Sequence, residues 1–522
     1  MRPIARGIRR DAVLLTAALA LCGQTPAGGA DTVAGVLKER VTQLSLLGAH
    51  SAKTLEIVGS LEGLELHGIF HSWHADNDDR YDENLGVRSE STLRRGSREY
   101  VRNASGDVRE LTGTLALRQR TQDFIFSDDL TDQPQYSHLI GRAKLSDGRD
   151  VIQLRVAPPG GDAETVSLDA QTKLIDQIAY TDSDGIETQT YDDYRVVNGA
   201  LVAYHEVDSN GDARYDETQR VQSVWVGRTI EPSTFTIPVS ATIAADAPVT
   251  VGLIEEAGHV FAPVSVRGHT FRFLIDSGAQ AVVMDMASAH ELMLAPEGLL
   301  EISGAKRVGG GGVAQLDSLE IGGATLPVRA VSLIDLGGST AGSLSSNGVL
   351  GYPFFAAAEV RLDFDRHTMT FAKPGSLPPL GEKIDLDTDR ELPEVSTRID
   401  GVPTKALVDC GDGNELLVFR SFVDSHAGLI GTDPTSRIQN YGVGGALSAI
   451  PATVDELDIG SYRMFNSRAD VVMATNGAFA DRVDGANIGM GTLRNFVVTF
   501  DLANHVMYLE RSASFNDGRD RV

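Results

Sequence analysis

Phe273-Leu274-Ile275-Asp276-Ser277-Gly278-Ala279, followed by Val282-Val283-Met284, decides the fold of this chain, because the pattern occurs twice. Its second copy is Ala406-Leu407-Val408-Asp409-Cys410-Gly411-Asp412, followed by Leu416-Leu417-Val418. Each copy runs apolar strand, Asp, small residue, Gly, second apolar strand. Such a segment is a loop that presents one carboxylate between two strands. Two of these loops face to face would make a carboxylate pair, which is a catalytic device.

Working outward, more matches appear in the same order. Gly268 and Gly401 each lie eight residues before their Asp. Val308-Gly309-Gly310 matches Val443-Gly444-Gly445, and Leu319-Glu320-Ile321-Gly322 matches Leu457-Asp458-Ile459-Gly460. Leu350-Gly351 matches Ile488-Gly489; from there Asp363 falls on Asp501, His367 on His505 and Met369 on Met507 without a gap. An ordered repeat of this kind predicts a duplicated β-domain. Lobe one is expected over residues 250–375 and lobe two over 376–522.

These motifs resemble the retropepsin-like (retroviral-type) aspartic proteases, in a fused two-lobe form. That family runs apolar-apolar-Asp-Thr/Ser-Gly-Ala, a glycine-rich flap, then apolar-apolar-Gly. Lobe one carries Asp276-Ser277-Gly278-Ala279, the run Val308–Val313 and Val349-Leu350-Gly351; lobe two carries Asp409-Cys410-Gly411, Tyr441–Gly445 and Asn487-Ile488-Gly489. The resemblance covers the C-terminal half of the chain. It implies two β-barrel lobes, Asp276 and Asp409 as a catalytic pair, and Ser277, Gly278, Cys410 and Gly411 as its supports. It also implies Gly309, Gly310, Gly311, Tyr441, Gly442 and Gly444 in the flaps, with no metal and no cofactor. The expected activity is that of an aspartic endopeptidase cleaving an extended peptide or protein substrate.

The chemistry accounts for the residue types. Two carboxylates about 3 Å apart cannot both ionise, so they share one proton. One draws a proton from water and the other donates to the peptide carbonyl. The pair titrates as a unit, so neither Asp is assigned a fixed role.

Lobe two departs from the family pattern. Cys410 stands where Thr or Ser is expected, Asp412 replaces a small residue, Gly413 lengthens the loop, and Asn487 replaces an apolar residue. A thiol is a weak donor and acceptor, so a poorer lock between the loops is expected there. A third carboxylate would either raise the proton affinity of the pair or spoil substrate binding. Two readings stay open: an active peptidase, or a catalytically degenerate protease fold that binds a lipid, lipoprotein or peptide. Cys410 is read as inert, since no His adjoins it and its surroundings are acidic. Tyr441 is read either as reaching into the cleft or as packing.

Residues 31–245 have a different texture. After a short helical stretch near 32–47, alternating strands and turns follow, such as Leu64–Phe70, Val151–Val156, Ser183-Asp184-Gly185 and Val197-Asn198-Gly199. One large curved antiparallel sheet is expected, so the whole chain reads as mainly β. The portion from Tyr191-Asp192-Asp193-Tyr194-Arg195 to Phe235-Thr236-Ile237-Pro238 is similar to the open-sheet domain of lipoprotein-carrier proteins, which implies a groove for a hydrophobic ligand. Residues 241–248 read as a linker. His67, His71 and His74 alternate poorly for a metal site, and the Asp208–Asp212 run lacks the Gly and Glu of a calcium loop.

Four arginines (Arg2, Arg6, Arg9, Arg10) precede the apolar run Ala12–Leu21, so residues 1–30 read as a secretory signal. The protein is expected to be exported, periplasmic or extracellular, with Cys22 a candidate lipid anchor. Of the two cysteines only Cys410 would remain after cleavage, which rules out an internal disulfide framework. A formal charge of −26 over 522 residues argues against nucleic-acid partners. No later segment has the roughly 18 apolar residues of a membrane span.

Overall fold

The computed structural model describes residues 32–50, 52–182, 185–305, 307–339, 345–433, 435–475 and 477–521. The expected signal segment and Cys22 lie outside them. The protein is mainly β, and it divides into two compact units. The first comprises residues 1–103 and 110–238, the second 104–109 and 239–522. Among the described residues no helix is long and apolar enough to cross a membrane.

The first unit is built on an antiparallel sheet whose strands follow one another as hairpins, apart from one closure. Thr54–Gly63, the first strand, pairs with Glu217–Val226, the last, in register Leu55↔Val226. Two meanders are thereby zipped into a thirteen-stranded sheet. Between the meanders come the helices Gly113–Phe126 and Asp129–Asp132. Together with Val33–Leu46, they supply Val36, Leu37, Phe124, Ile125, Phe126 and Leu130 to a core against the second meander. The longer helix was not anticipated from the sequence. Its buried face carries Arg118, Gln119, Thr121 and Gln122, which break the apolar period that marks a helix.

In the second unit each lobe places its Asp loop by the same three strands. In lobe one, His269–Ile275 runs parallel to Gly348–Leu350, with Ile275 opposite Leu350. Val283–Asp285 then returns antiparallel to Gly348–Leu350. Lobe two repeats this with Val402–Val408 parallel to Ala486–Ile488 and Leu416–Phe419 antiparallel to it. The strand ending in the apolar-Gly motif is therefore wedged between the two arms of each Asp loop.

A six-stranded sheet joins the lobes, three strands from each. Its central pairing sets Val360 opposite Phe500 and Leu362 opposite Val498. Behind it Phe355 meets Phe500 and Phe354 meets Phe371 edge to face, with centroids 5.3 and 5.6 Å apart. All four rings are fully buried in a core common to both lobes. Removing one such ring typically costs about 3–5 kcal/mol. The shared sheet and core hold the two Asp loops at a fixed separation.

Candidate active site

Asp276 and Asp409 stand at the ends of their strands, held by matching backbone bonds. Asp276 N–H donates to Leu350 O at 3.1 Å and Asp409 N–H to Ile488 O at 2.9 Å. Each carboxylate also accepts from the glycine two residues on: Gly278 N–H to Asp276 Oδ1 at 2.9 Å, Gly411 N–H to Asp409 Oδ1 at 2.8 Å. The two carboxyl groups each lie against the loop of the other. Burial, and then the charge of Asp409, hold the Asp276 carboxyl well above the ordinary carboxylate range. A side chain in place of either glycine would invade the opposite acid. A Cβ on Gly278 would sit 2.5 Å from Asp409 Cγ, and one on Gly411 2.2 Å from Asp276 Cγ. Glycine is thus required here by close approach rather than by backbone torsion.

Beneath the carboxyls the loops interlock. Ser277 Oγ donates to Val408 O at 2.7 Å and accepts from Cys410 N–H at 3.0 Å. Cys410 Sγ donates to Ile275 O at 3.4 Å and accepts from Ser277 N–H at 3.3 Å. The thiol thus makes the same two bonds as the hydroxyl, at longer range. Burial pushes the Cys410 thiol far up, which makes it unsuited to act as a thiolate nucleophile.

The departures in lobe two form a group of their own. Asn487 is fully buried, and its Nδ2 donates both to Asp409 Oδ2 at 2.9 Å and to Asp412 Oδ2 at 3.0 Å. Asp412 Oδ1 accepts from Asn414 N–H at 3.0 Å and Asn414 Nδ2 at 2.7 Å. Burial, and then Asp409, raise the Asp412 carboxyl to about 7. Lobe one has Ala279 and Val349 at the corresponding positions, so the pair has an acidic neighbour on one side only.

Further contacts could not be read from the sequence. Gln280 Nε2 donates to Arg390 O at 2.7 Å, tying the first Asp loop to lobe two. His259, on the strand His259–Val266, meets Gly411 O through Nδ1 at 2.9 Å. Arg390 itself is ringed by Glu394 and Asp481, each at 2.6 Å, and by Asp484. These residues had no motif to mark them; only the fold brings them to the Asp loops.

The two flaps differ. In lobe two, Ile438–Gly442 pairs with Gly445–Ala449, so Gly442 and Gly444 lie at the tip, and Tyr441 beside them is exposed. In lobe one the hairpin is Glu301–Ser303 with Arg307–Gly309. Gly309, Gly310 and Gly311 therefore lie at its base, not at its tip. Gly310 and Gly311 have φ of 118° and 99°, and a Cβ on Gly311 would meet Leu333 O at 2.2 Å. The glycine run serves a backbone turn where the hairpin joins the lobe. The tips cross: Ala305 of the first packs into an apolar cluster of lobe two, and Val443 of the second against one of lobe one.

In the first unit, the three histidines go to three separate carboxylates. His71 lies 3.0 Å from Glu56, His74 2.5 Å from Asp79, and His67 3.8 Å from Glu62. Asp208–Asp212 ends one strand and enters a turn in which Asp212 pairs with Arg214. Among the described residues no group of three or more His, Cys, Asp or Glu is placed to hold a metal. The sheet and helices line an open pocket of about 420 Å³, bordered by Leu44, Phe70, Phe126, Ile175 and Val221, with Arg40 and Glu206 among its polar groups.

Residues 262–354 match the family model described as aspartyl protease. That stretch carries the first Asp loop, the first flap and the first apolar-Gly strand. No curated protein matches the chain. Among solved structures, a domain described as an outer membrane lipoprotein-sorting protein from Vibrio parahaemolyticus is 11% identical, with 39% of this chain and 95% of that chain covered and a TM-score of 0.27. A DUF1329 family protein from Desulfovibrio piger is 14% identical, with coverages of 40% and 98% and a TM-score of 0.28. A LolA superfamily protein from Nitrosomonas europaea is 11% identical, with the same coverages and TM-score.

Proposed function

We propose that residues 250–522 act as an aspartic endopeptidase with Asp276 and Asp409 as its catalytic pair. The observation that carries this reading is the close approach of the two carboxyls, each lying against the other loop's glycine. A pair so close cannot easily ionise twice, so it shares one proton over part of the pH range. The ionised member takes a proton from a water molecule as that water attacks the peptide carbon. The protonated member donates to the carbonyl oxygen, and the resulting tetrahedral intermediate collapses with proton transfer to the leaving amine. The substrate would lie extended in the cleft and add to the flap strands as a further strand. Closed hairpins over it would exclude bulk water and strengthen the electrostatics of the pair. The arginine-led, apolar N-terminus supports export, to the periplasm or beyond.

The test is direct. The full chain is incubated with a peptide library from pH 3 to 8, alongside Asp276→Asn and a pepstatin-type inhibitor. Cleavage by the wild type that is lost in both controls is expected. Cleavage that persists in Asp276→Asn overturns the reading.

The pocket of the first unit supports a second function on the same chain, the binding of an amphipathic ligand. Its apolar lining suits a hydrocarbon chain, and its charged groups suit a polar head. A fluorescent fatty acid that binds the wild type, and binds at least tenfold more weakly once Val221→Trp fills the pocket, is the expected result; equal binding rules it out.

A further inference from the structure

Asp412 and Asn487 replace two residues that the lobe-one loop fills with Ala279 and Val349, and they do so together. Among the described residues the Asp412 carboxylate accepts three hydrogen bonds: Asn414 N–H and Nδ2 on Oδ1, Asn487 Nδ2 on Oδ2. The other Asn487 Nδ2 proton goes to Asp409 Oδ2. Reversing the amide would set its oxygen against two acids, so the donor assignment is fixed by its neighbours. Among the described residues Asn487 Oδ1 has no hydrogen-bond partner, although it is buried. The amide is therefore placed for its donors alone.

The groups facing Asp412 are also defined. Asp409 lies on its own loop, and Asp470 faces it from the strand Tyr462–Val472. Asn487 comes from the wedged strand and Met490 N–H holds the Asp412 carbonyl at 2.7 Å. His259 touches the loop one residue away, at Gly411 O. Both acidic neighbours oppose the ionised form, as does burial, while the three N–H donors favour and orient it.

We propose that Asp412 is a positioning residue: through the Asn487 amide it orients Asp409, and its negative charge keeps the shared proton on the Asp276–Asp409 pair to higher pH. This rests on the endopeptidase reading of the same site. An ionised Asp412 a single amide away from Asp409 makes loss of the last shared proton harder, because that loss would leave three adjacent carboxylates charged. The site thereby works closer to neutrality than the pair alone would allow. Its titration belongs to the three acids together, not to any one of them.

The experiment uses the full chain, Asp412→Asn and Asn487→Ala. Asp412→Asn keeps an acceptor for Asn487 and removes the charge. Its pH profile of kcat/KM is expected to keep the acid limb and to lose the basic limb about one pH unit earlier. Asn487→Ala is expected to lower kcat at least tenfold at all pH values, with KM little changed. A second readout needs no activity. Asp412 carries its proton more tightly when folded, so wild-type stability falls as pH rises from about 4 to about 7. The melting temperature of Asp412→Asn should therefore gain on the wild type over that range and hold its lead above it. A basic limb that does not move, or a melting difference that is flat from pH 4 to 8, overturns the proposal. If the wild type cleaves nothing, the endopeptidase reading falls, and the melting difference still shows whether Asp412 is charged against its neighbours.

Discussion

Ser277 and Cys410 hold each other's backbone from opposite lobes: Cys410 N–H donates to Ser277 Oγ at 3.0 Å, and Ser277 N–H donates to Cys410 Sγ at 3.3 Å. Their own donors then reach the strand ends, Val408 O for the hydroxyl and Ile275 O for the thiol. The lock is symmetric in connectivity and unequal in strength, because sulfur is the weaker partner on both bonds.

That inequality sets an order of stabilities. Ser277→Ala leaves Cys410 N–H and Val408 O buried without their partner, at about 1–3 kcal/mol for each group. Cys410→Ala removes two weaker bonds and should cost less. Cys410→Ser should restore short bonds and match the wild type or exceed it. Urea midpoints of the three variants check the ranking. A Cys410→Ala chain less stable than Ser277→Ala would refute it.

Gly411→Ala tests the approach of the two carboxyls. Neither Gly278 nor Gly411 has a left-handed backbone, so alanine adds no torsional strain. Its only consequence is a methyl 2.2 Å from Asp276 Cγ. The carboxyls must separate, and a pair that cannot share a proton loses its function. Peptidase activity is expected to fall at least a hundredfold while far-UV circular dichroism stays unchanged. Retained activity would mean that the carboxyls do not need this proximity.

Arg390 is the cation of a buried acidic group, and its loss should be felt most at high pH. Burial raises Asp484 to about 8, and it also raises Glu394. Acids raised in this way bind protons more tightly when folded, so they destabilise the fold increasingly as pH climbs from about 4 to about 8. Arg390 offsets that charge. Arg390→Met should cost about 3–5 kcal/mol near pH 8, the usual effect of breaking a buried pair, and clearly less near pH 5. Denaturation at the two pH values measures the difference; an equal loss at both contradicts the account. Because Gln280 holds the Arg390 carbonyl, activity should suffer in the same variant.

The Asp loops could be read from the sequence because duplication repeats every constraint. Gly268 and Gly401 both turn with positive φ, as do His367 and His505, so positions aligned by spacing alone prove to be the same turns. Asn487 was visible only as a departure from pattern. Its partners Asp409 and Asp412 lie 78 and 75 residues away, and nothing local to Asn487 points to them. Where along the lobe-one hairpin the glycine run falls was not legible, because such a run suits a tip and a base equally well. The helix Gly113–Phe126 shows no apolar period because its buried face is polar, and some of those groups find partners on other elements. Gln122 Nε2 donates to Gln189 Oε1 at 3.1 Å, and Arg118 pairs with Asp182 at 3.2 Å. Such pairs satisfy burial without apolar periodicity.

Glu164 opens the strand Glu164–Asp169 of the first unit. It is fully buried, and neither carboxylate oxygen has a hydrogen-bond partner among the described residues. Burial, and then the charge of Asp162, push its carboxyl up to about 9; Arg118 only partly opposes them. The folded state therefore holds a proton that the unfolded chain releases near pH 4.5. Stability contributed by the neutral acid is fully present below that value and drains away as pH rises towards 9. Glu164→Gln keeps the shape and removes the titration. The first unit should gain on the order of 3 kcal/mol at pH 7 from this change, and almost nothing at pH 4. Chemical denaturation of the full chain, followed by the fluorescence of Trp73 and Trp225, which both lie in the first unit, reads the difference. A gain that does not grow with pH would show that Glu164 is ionised in the folded protein and compensated by its surroundings.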